Sequence, residues 1–316
     1  MLKSVGWEKS RIDALPVMAH KKRKVPKLIV SKNGFSRFLE KNYGYTDVRQ
    51  FTGTGKFSSR LNSVFLAKDA EGNDIFIKAC RYGDMSENEY RCGLELWKQA
   101  PARFAKPLAY HSGKRFSFCS SEYVPGRDLR TILESGEPLS DELRAQLVES
   151  MYEIFHVLVR TNMAHRDIAL KNMLLHDGRL VLIDCQLSTK RDCKTPISFF
   201  DSPLKVCLWR WGETPGADLL EWDDVVSLLC SVRAIGAGPV YRERYNAICE
   251  ELENAIGKYK YVHPYPSMKE IERSMKVCRF RNLFHPKAKL RERYGMVLKL
   301  LRYLKEHHPQ LGGAGG

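Results

Sequence analysis

The feature that most constrains the fold of this chain is a predicted β-hairpin with polar residues at both of its open ends. Two short apolar runs, 173–175 and 180–183, flank Asp177-Gly178, a dipeptide typical of a tight hairpin turn. Asn172 enters the hairpin and Asp184 leaves it, so the hairpin brings these two side chains close together. Mg²⁺ accepts amide and carboxylate oxygens as ligands. The pattern therefore predicts that Asn172 and Asp184 lie close enough to share a metal ion.

The residues before the hairpin extend this pattern. Apolar residues at helical spacing predict a helix with a buried face over 147–163, and Arg166-Asp167 follow it closely. The order of helix, loop, hairpin and aspartate resembles the catalytic loop of protein kinases and the metal-binding aspartate that follows it. The resemblance implies that Asp167 orients the attacking hydroxyl, with Arg166 beside it. It also implies that Asn172 and Asp184 hold Mg²⁺.

Two predicted strands, 64–68 and 74–78, are joined by a turn and resemble the strands that begin the ATP site of the same family. Lys78 ends the second strand, fourteen residues after Val64, which is close to the family interval. The resemblance implies that Lys78 pairs with the α- and β-phosphates of ATP. It also implies that Val64 contributes to binding ATP. A lysine that ends a strand is otherwise simply solvated.

A helix predicted over 86–97 is expected to supply the carboxylate that orients Lys78. Glu89 is the residue that best matches the family helix. Glu87 and Glu95 remain alternatives, because each is an acidic residue on the same helix.

The run 121–129 resembles the segment that links the two lobes of a kinase, known as the hinge. In that match Ser121 is the gatekeeper, and Glu122 and Val124 offer backbone groups to adenine. Asp128 reaches the ribose in the same match. The run also predicts a Pro-Gly turn between a strand and a helix, and both interpretations are compatible.

A later helix, predicted to begin near Trp222, resembles the kinase helix whose aspartate fastens the backbone of the catalytic loop. Asp224 matches that aspartate. The alternative is that Asp224 only caps the helix N-terminus.

The sequence departs from the kinase pattern at the phosphate loop and after Asp184. Phe57, Ser59 and Asn62 stand where the three glycines of the loop belong, which predicts weaker ATP binding. Cys185 and Gln186 replace Phe and Gly. No Ala-Pro-Glu motif closes the segment that follows. Four hydroxyl groups in this segment are candidate phosphate acceptors, and Arg166 can bind the phosphate once it is attached. These residues are Ser188, Thr189, Thr195 and Ser198.

Length and composition set the expected organisation. The 316 residues, 43% of them hydrophobic, suffice for one two-lobed domain with tails. The resemblance predicts an α+β fold, with a small N-terminal lobe of antiparallel sheet and one helix and a larger, mainly helical C-terminal lobe. We expect a basic N-terminal extension over 1–44, a catalytic domain over 45–305, divided at 124/125, and a flexible tail over 306–316. The nine cysteines are dispersed and form no CxxC pair, which disfavours a zinc site and a disulfide framework. The sequence also contains no run of 18 apolar residues that could span a membrane. We therefore expect an intracellular protein, cytoplasmic or nuclear.

The net charge of +15 is concentrated in two regions. The run Lys21 to Lys27 is typical of a nuclear-import signal or a nucleic-acid-binding arm, and also of a solvated tail. A second basic stretch, 276–302, overlaps apolar residues at helical spacing and predicts a C-terminal helix over 290–304 with a basic outer face.

Three functions compete at this point. The first is an ATP-dependent protein kinase for serine or threonine hydroxyls. The second is a small-molecule or sugar kinase of the aminoglycoside-phosphotransferase or lipopolysaccharide-kinase type, which shares the Asp-x4-Asn spacing. The third is a pseudokinase scaffold. The joint presence of Lys78, Asp167, Asn172 and Asp184 disfavours the scaffold, and Arg166 with the hinge and the Asp224 helix favours the protein kinase.

Overall fold

An antiparallel sheet of five strands forms the N-terminal part of the chain and a mainly helical region forms the C-terminal part, so the predicted α+β, two-lobed fold is confirmed. The computed structural model describes residues 32–51, 62–80, 83–113, 117–193, 221–262 and 268–307. The strands of the sheet are β1 Thr46–Gln50, β2 Asn62–Lys68, β3 Asp74–Cys80, β4 Pro107–Ser112 and β5 Ser117–Glu122. They lie in the order β1-β2-β3-β5-β4.

The sheet carries two helices, where the sequence predicted one. Helix α2 (Gly83–Gln99) is the predicted one, and it is the next described element after β3. Helix α1 (Lys32–Tyr43) precedes the sheet, and its Phe35 and Leu39 are fully buried among Phe65, Ile77 and other apolar residues of the strands.

Helix α1 precedes the domain boundary that the sequence placed near Tyr45, and it packs on the sheet. Phe35 contacts the rings of Phe65 and Phe118 at centroid distances of 5.0 and 6.1 Å. Removing residues 32–43 would expose this core, because α1 supplies part of its apolar surface. Helix α1, which the sequence assigned to the extension 1–44, therefore packs on the sheet, and the domain bounds stay a prediction.

The C-terminal lobe is built around α4 (Asp141–Arg160). Its apolar side chains at helical spacing are buried, as the pattern predicted. The helices that accompany it are α3 (Leu129–Glu134), α5 (Asp224–Ile235), α6 (Arg242–Ala255), α7 (Met268–Phe284) and α8 (Ala288–His307). Short strands complete the lobe, namely β6 (Arg127–Asp128), β7 (Met163–Ala164), β8 (Met173–His176), β9 (Arg179–Leu182), β10 (Thr189–Lys190), β11 (Glu221–Trp222) and β12 (Tyr261–Val262).

The predicted hairpin is confirmed as β8 and β9, which pair antiparallel. Asp177 and Gly178 have φ angles of 47° and 73°, the left-handed values that a tight hairpin turn requires. Gly178 takes this conformation at no steric cost. The hairpin thus fixes the register that places its two open ends side by side.

The predicted C-terminal helix is confirmed as α8, which pairs with α7 in a helical hairpin that has its own small core of Cys278, Val297 and Leu301. Within the part of the chain that the structure describes, none of the helices combines the length and apolar character needed to cross a bilayer.

Candidate functional site

A buried lysine joins the two lobes. Strand β3 of the sheet carries Lys78, whose Nζ lies 2.9 Å from Glu89 Oε1 on α2 and 2.6 Å from Asp184 Oδ1, which follows β9. Lys78 is only 8% exposed. Removing a charged ammonium from water is unfavourable unless opposite charges surround it, and here two carboxylates do so. The three residues that the sequence singled out from distant positions therefore form one ionic cluster.

The structure selects Glu89 among the three glutamates of α2. Glu87 pairs with Arg91 at 2.7 Å one turn along the same helix. Glu95 pairs with Lys190. Because both alternatives have other cationic partners, Glu89 is the carboxylate that orients Lys78.

The charges in this cluster shift the pKa of each member. Burial by itself lowers the pKa of Lys78, but the carboxylates of Asp184 and Glu89 outweigh it and raise that pKa above its ordinary value. Burial acts to raise the pKa of Asp184, but the ammonium of Lys78 outweighs it and holds that pKa below its ordinary value. Burial dominates at Glu89 and raises its pKa. The shifts of Lys78 and Asp184 both favour the ionised forms of these two groups.

The candidate metal ligands meet at the open end of the hairpin. The backbone N–H of Ile183 donates to the carbonyl oxygen of Asn172 at 2.9 Å, so Asn172 and Asp184 lie at adjacent strand ends. The Asn172 amide Nδ2 donates to the backbone oxygen of Asp167 at 2.8 Å and to its Oδ2 at 3.0 Å. These bonds turn the amide nitrogen towards Asp167 and leave the Asn172 Oδ1 as an acceptor.

The donor set fits Mg²⁺. The described residues contain no group of three or more His, Cys, Asp or Glu side chains arranged to hold a metal. Mg²⁺ does not need such a cage, since it is commonly held by one or two protein oxygens together with phosphate oxygens and water. Asp184 Oδ2 and Asn172 Oδ1 are oxygens of the required type.

Two site residues have strained backbones. Arg166 and Asp184 have φ angles of 66° and 71°, in the left-handed region that a side chain with a Cβ atom disfavours. Such strain costs about 1–3 kcal/mol per residue and persists only where the surroundings impose it.

Asp224 imposes the conformation of the loop at Arg166. Its Oδ2 accepts the backbone N–H of His165 at 2.5 Å and its Oδ1 accepts that of Arg166 at 3.0 Å. Asp223, the preceding residue, caps α5 by accepting the backbone N–H of Val225. The predicted fastening of the loop by Asp224 is therefore confirmed, and the capping alternative applies to Asp223.

We expect Asp224→Asn to lower the free energy of unfolding by about 2–3 kcal/mol, because one of the two buried N–H groups loses its carboxylate acceptor. Urea denaturation followed by far-UV circular dichroism measures this. The control is Asp192→Asn, which changes an exposed carboxylate after β10. This variant should change the free energy of unfolding by less than about 0.5 kcal/mol. Equal stability of the Asp224 variant and wild type would contradict the anchoring role.

Sequence reasoning missed Asn88, which ties α2 to the segment after Asp184. Its Nδ2 donates to the carbonyl oxygens of Gln186 and Ser188 at 3.1 and 2.8 Å. The neighbouring Cys92 Sγ lies 3.5 Å from the same Ser188 oxygen. The only signal in the sequence is the position of Asn88 next to Glu89, and that signal does not reveal the partner.

The residues predicted to bind the nucleotide lie along β2, β5 and the following link. Val64 is directly opposite Lys78 in the β2–β3 register, so both side chains lie on the same face of the sheet. The backbone N–H of Glu122 donates to Lys106, and the Gly126 N–H donates to the carbonyl of Val124. Within the described chain, the backbone N–H of Val124 has no acceptor.

Asp128 has a structural role that the sequence did not predict. It is the N-cap of α3, where its Oδ1 accepts the backbone N–H of Thr131 at 2.9 Å and its Oδ2 accepts the Thr131 hydroxyl at 2.7 Å. Contact with a ribose remains a prediction, since each carboxylate oxygen can accept a further bond.

Some predicted features lie outside the described residues. These are the glycine-poor phosphate loop up to residue 61, the candidate acceptors Thr195 and Ser198, and the basic run Lys21 to Lys27. Ser188 and Thr189 are described and are 0% and 3% exposed, so neither hydroxyl is accessible as a phosphate acceptor in this structure.

Comparison with known proteins finds a distant similarity over about half of the chain. No protein-family model matches the chain. A 173-residue stretch is 25% identical to a probable serine/threonine-protein kinase KIN1 homolog of Encephalitozoon cuniculi, and it covers 51% of this chain. The chain spans 30% of the length of that relative. The likeness supports a kinase-like relationship.

Proposed function

We propose that this chain is an ATP-dependent protein kinase that transfers the γ-phosphate of MgATP to serine or threonine hydroxyls. The observation that carries the proposal is the buried Lys78, held between Glu89 of the N-terminal lobe and Asp184 of the C-terminal lobe. Phosphoryl transfer depends on positioning and on neutralising phosphate charge, and a lysine fixed at the junction of the lobes does both. The kinase-like relative supports the same class of reaction.

Each polar residue of the site has a role in this proposal. Lys78 binds the α- and β-phosphates of ATP, while Glu89 holds its ammonium in place. Asp167 accepts a hydrogen bond from the acceptor hydroxyl and orients that hydroxyl towards the γ-phosphate. Arg166 holds the loop that carries Asp167.

Asn172 and Asp184 are the proposed Mg²⁺ ligands, through Oδ1 and Oδ2 respectively. Mg²⁺, when bound, neutralises phosphate charge during transfer. Asn172 has a second function, because its Nδ2 donates to Asp167 and so fixes the carboxylate that meets the hydroxyl.

The adenosine moiety is proposed to lie against the cleft face of the sheet and the link between the lobes. Val64, on the face that carries Lys78, packs against the base. The backbone groups of Glu122 and Val124 bind the edge of adenine, and Asp128 binds the ribose. We propose that the catalytic domain extends from about Lys32 to residue 305, with α1 as part of its N-terminal lobe.

The test is transfer of label from γ-labelled ATP to protein, with peptides that carry serine, threonine or tyrosine and a panel of aminoglycosides and sugars as acceptors. Transfer to serine or threonine peptides supports the proposal. Transfer to a small molecule alone reassigns the acceptor. No transfer to any acceptor, and no autophosphorylation, refutes it and favours a scaffold.

Magnesium dependence of nucleotide binding is a separate expected outcome. We expect MgATP at millimolar concentration to raise the melting temperature of the wild type, because a ligand that binds only the folded state stabilises it by mass action. In Asp184→Asn this rise should no longer depend on Mg²⁺. Differential scanning fluorimetry with ATP and either Mg²⁺ or EDTA measures both proteins. An Asp184→Asn variant that still requires Mg²⁺ for stabilisation would exclude Asp184 as a ligand.

A further inference from the structure

We infer that Tyr261 is a positioning residue of the proposed kinase reaction, whose aromatic ring holds Arg166 and thereby the catalytic loop. Tyr261 belongs to residues 257–262, here called the tyrosine strap, which crosses the C-terminal lobe between α6 and α7. The expected effect on kcat rests on the proposed function. The ordering of the loop by Tyr261 can be tested without any activity.

The contact between the two residues is buried on both sides. The guanidinium carbon of Arg166 lies 4.8 Å from the centroid of the Tyr261 ring. Arg166 is 3% exposed and Tyr261 is 0% exposed. A guanidinium over an aromatic face is attracted by the ring quadrupole, and the attraction is greater when water is excluded. Tyr261 also packs on Ala164, two residues before Arg166.

The strap is itself fixed to the element that anchors the loop backbone. Tyr261 pairs with Trp222 in the two-stranded β11–β12 sheet. The backbone N–H of Gly257 donates to Asp223 Oδ2 at 2.7 Å. Asp224, the next residue, accepts the backbone N–H groups of His165 and Arg166. Two contacts therefore hold the loop: Asp224 binds its backbone, and Tyr261 binds the Arg166 side chain. Both contacts come from segments that are hydrogen-bonded to each other.

The strap also contacts the segment that follows Asp184. The guanidinium carbon of Arg191 lies 5.2 Å from the ring centroid of Tyr259, two residues before Tyr261. Arg191 Nε is buried and has no hydrogen-bond partner among the described residues. Its backbone N–H donates to Asn162 at 2.9 Å, next to the catalytic loop. Two arginines from two functional segments thus lie on two tyrosines of one strap.

This arrangement has a consequence for regulation. The sequence suggested that a phosphorylated hydroxyl after Asp184 is the partner of Arg166, but Tyr261 already provides a buried partner for its guanidinium. The Tyr261 ring is part of the folded domain, whereas a phosphate group would have to be added by a separate reaction. We therefore expect the catalytic loop to be ordered, and the enzyme active, in the unphosphorylated chain.

The experiment compares Tyr261→Phe, which keeps the ring, with Tyr261→Leu, which removes it. We expect Tyr261→Leu to lower kcat by about tenfold, because the loop that orients the hydroxyl is displaced. The KM for MgATP should stay within about twofold of wild type, because the nucleotide site is not displaced. Hydrogen exchange of residues 163–172 should accelerate in the same variant. Tyr261→Phe should match wild type in all three measurements. Tyr152→Leu, which removes a ring 5.1 Å from Arg244 elsewhere in the lobe, is the matched control and should leave kcat and exchange unchanged.

Each outcome decides the inference. Unchanged kcat and exchange in Tyr261→Leu, or equal losses in the Phe and Leu variants, would overturn it. If Tyr261→Leu does not fold, Tyr261→Met, which also lacks a ring, is measured in its place. Wild-type enzyme pretreated with a non-specific phosphatase should retain kcat within about twofold, and a tenfold loss would overturn the independence from phosphorylation. If the wild type transfers no phosphate, the proposed function fails, and the hydrogen-exchange comparison still decides whether Tyr261 orders the loop.

Discussion

Asp167→Asn is expected to lower kcat by about 10²-fold or more, while the KM for MgATP and the melting temperature stay close to wild type. An ionised carboxylate accepts a hydrogen bond from the attacking hydroxyl and can take its proton. An amide of the same shape cannot take that proton. Steady-state kinetics with labelled ATP and differential scanning fluorimetry measure these quantities.

The structure indicates why this substitution should spare the loop. Asp167 Oδ2 accepts the Asn172 Nδ2 at 3.0 Å, and an asparagine at 167 can offer its own amide oxygen to the same donor. Its NH₂ group then occupies the position from which Asp167 meets the hydroxyl. The local hydrogen bond survives and the acceptor for the hydroxyl is lost.

Asp177→Asn is the matched control for this prediction. Asp177 lies in the turn of the adjacent hairpin, its side chain is 77% exposed, and asparagine tolerates its left-handed φ of 47°. The control should have wild-type kcat. Wild-type kcat in Asp167→Asn as well would remove Asp167 from the mechanism and favour a role for the chain without phosphoryl transfer.

The parts of the site that the sequence predicted well are those with local spacing. The Asp-Gly turn specifies the β8–β9 hairpin, and the hairpin by itself brings Asn172 and Asp184 to adjacent strand ends. Lys78 was identifiable because it lies on a predicted strand fourteen residues after Val64, close to the interval of the kinase family. The geometry agrees with these predictions, and the chemical roles of the residues remain predictions.

The features that the sequence did not predict depend on contacts between distant segments. The partner of Arg166 is Tyr261, the partner of Asn88 is the backbone after Asp184, and Phe35 of α1 packs against strands of the sheet. A buried aromatic residue in a short segment gives no periodic pattern, so Tyr261 resembles any core residue in the sequence. The choice of Glu89 over Glu87 and Glu95 likewise required the ion pairs of the folded chain.

Lys78→Met is expected to lower phosphate transfer by about 10³-fold and also to destabilise the protein at pH 7.5. The activity falls because a charge aimed at the phosphates is removed. Stability falls because Glu89 and Asp184, whose side chains are only 18% and 23% exposed, lose their shared cation. Removing one partner of a buried ion pair lowers the free energy of unfolding by about 3–5 kcal/mol. Urea denaturation of the two proteins measures the difference.

Two control variants separate this effect from a general loss of a lysine. Lys68→Met breaks the Lys68–Asp74 pair on the neighbouring strands, where both side chains are more than 40% exposed, and should cost less than about 1 kcal/mol. Lys78→Met combined with Glu89→Gln removes one of the two unpaired carboxylates and should recover part of the lost stability. A double variant no more stable than Lys78→Met alone would argue against ionic destabilisation.

The pH dependence of Lys78→Met tests the same cause, and its sign follows from the pKa shifts. In the wild type Lys78 holds the pKa of Asp184 below its ordinary value, so this contribution to stability is present at neutral pH and is lost as the pH falls through the folded pKa. Without Lys78, burial raises the pKa of both carboxyl groups, so the variant is destabilised at neutral pH and is relieved as protons bind. The stability difference should therefore be greatest near pH 7.5 and shrink steadily as the pH falls towards about 4. A difference that is constant over this range would mean that lost packing of the lysine stem, and not the two uncompensated carboxylates, destabilises the variant.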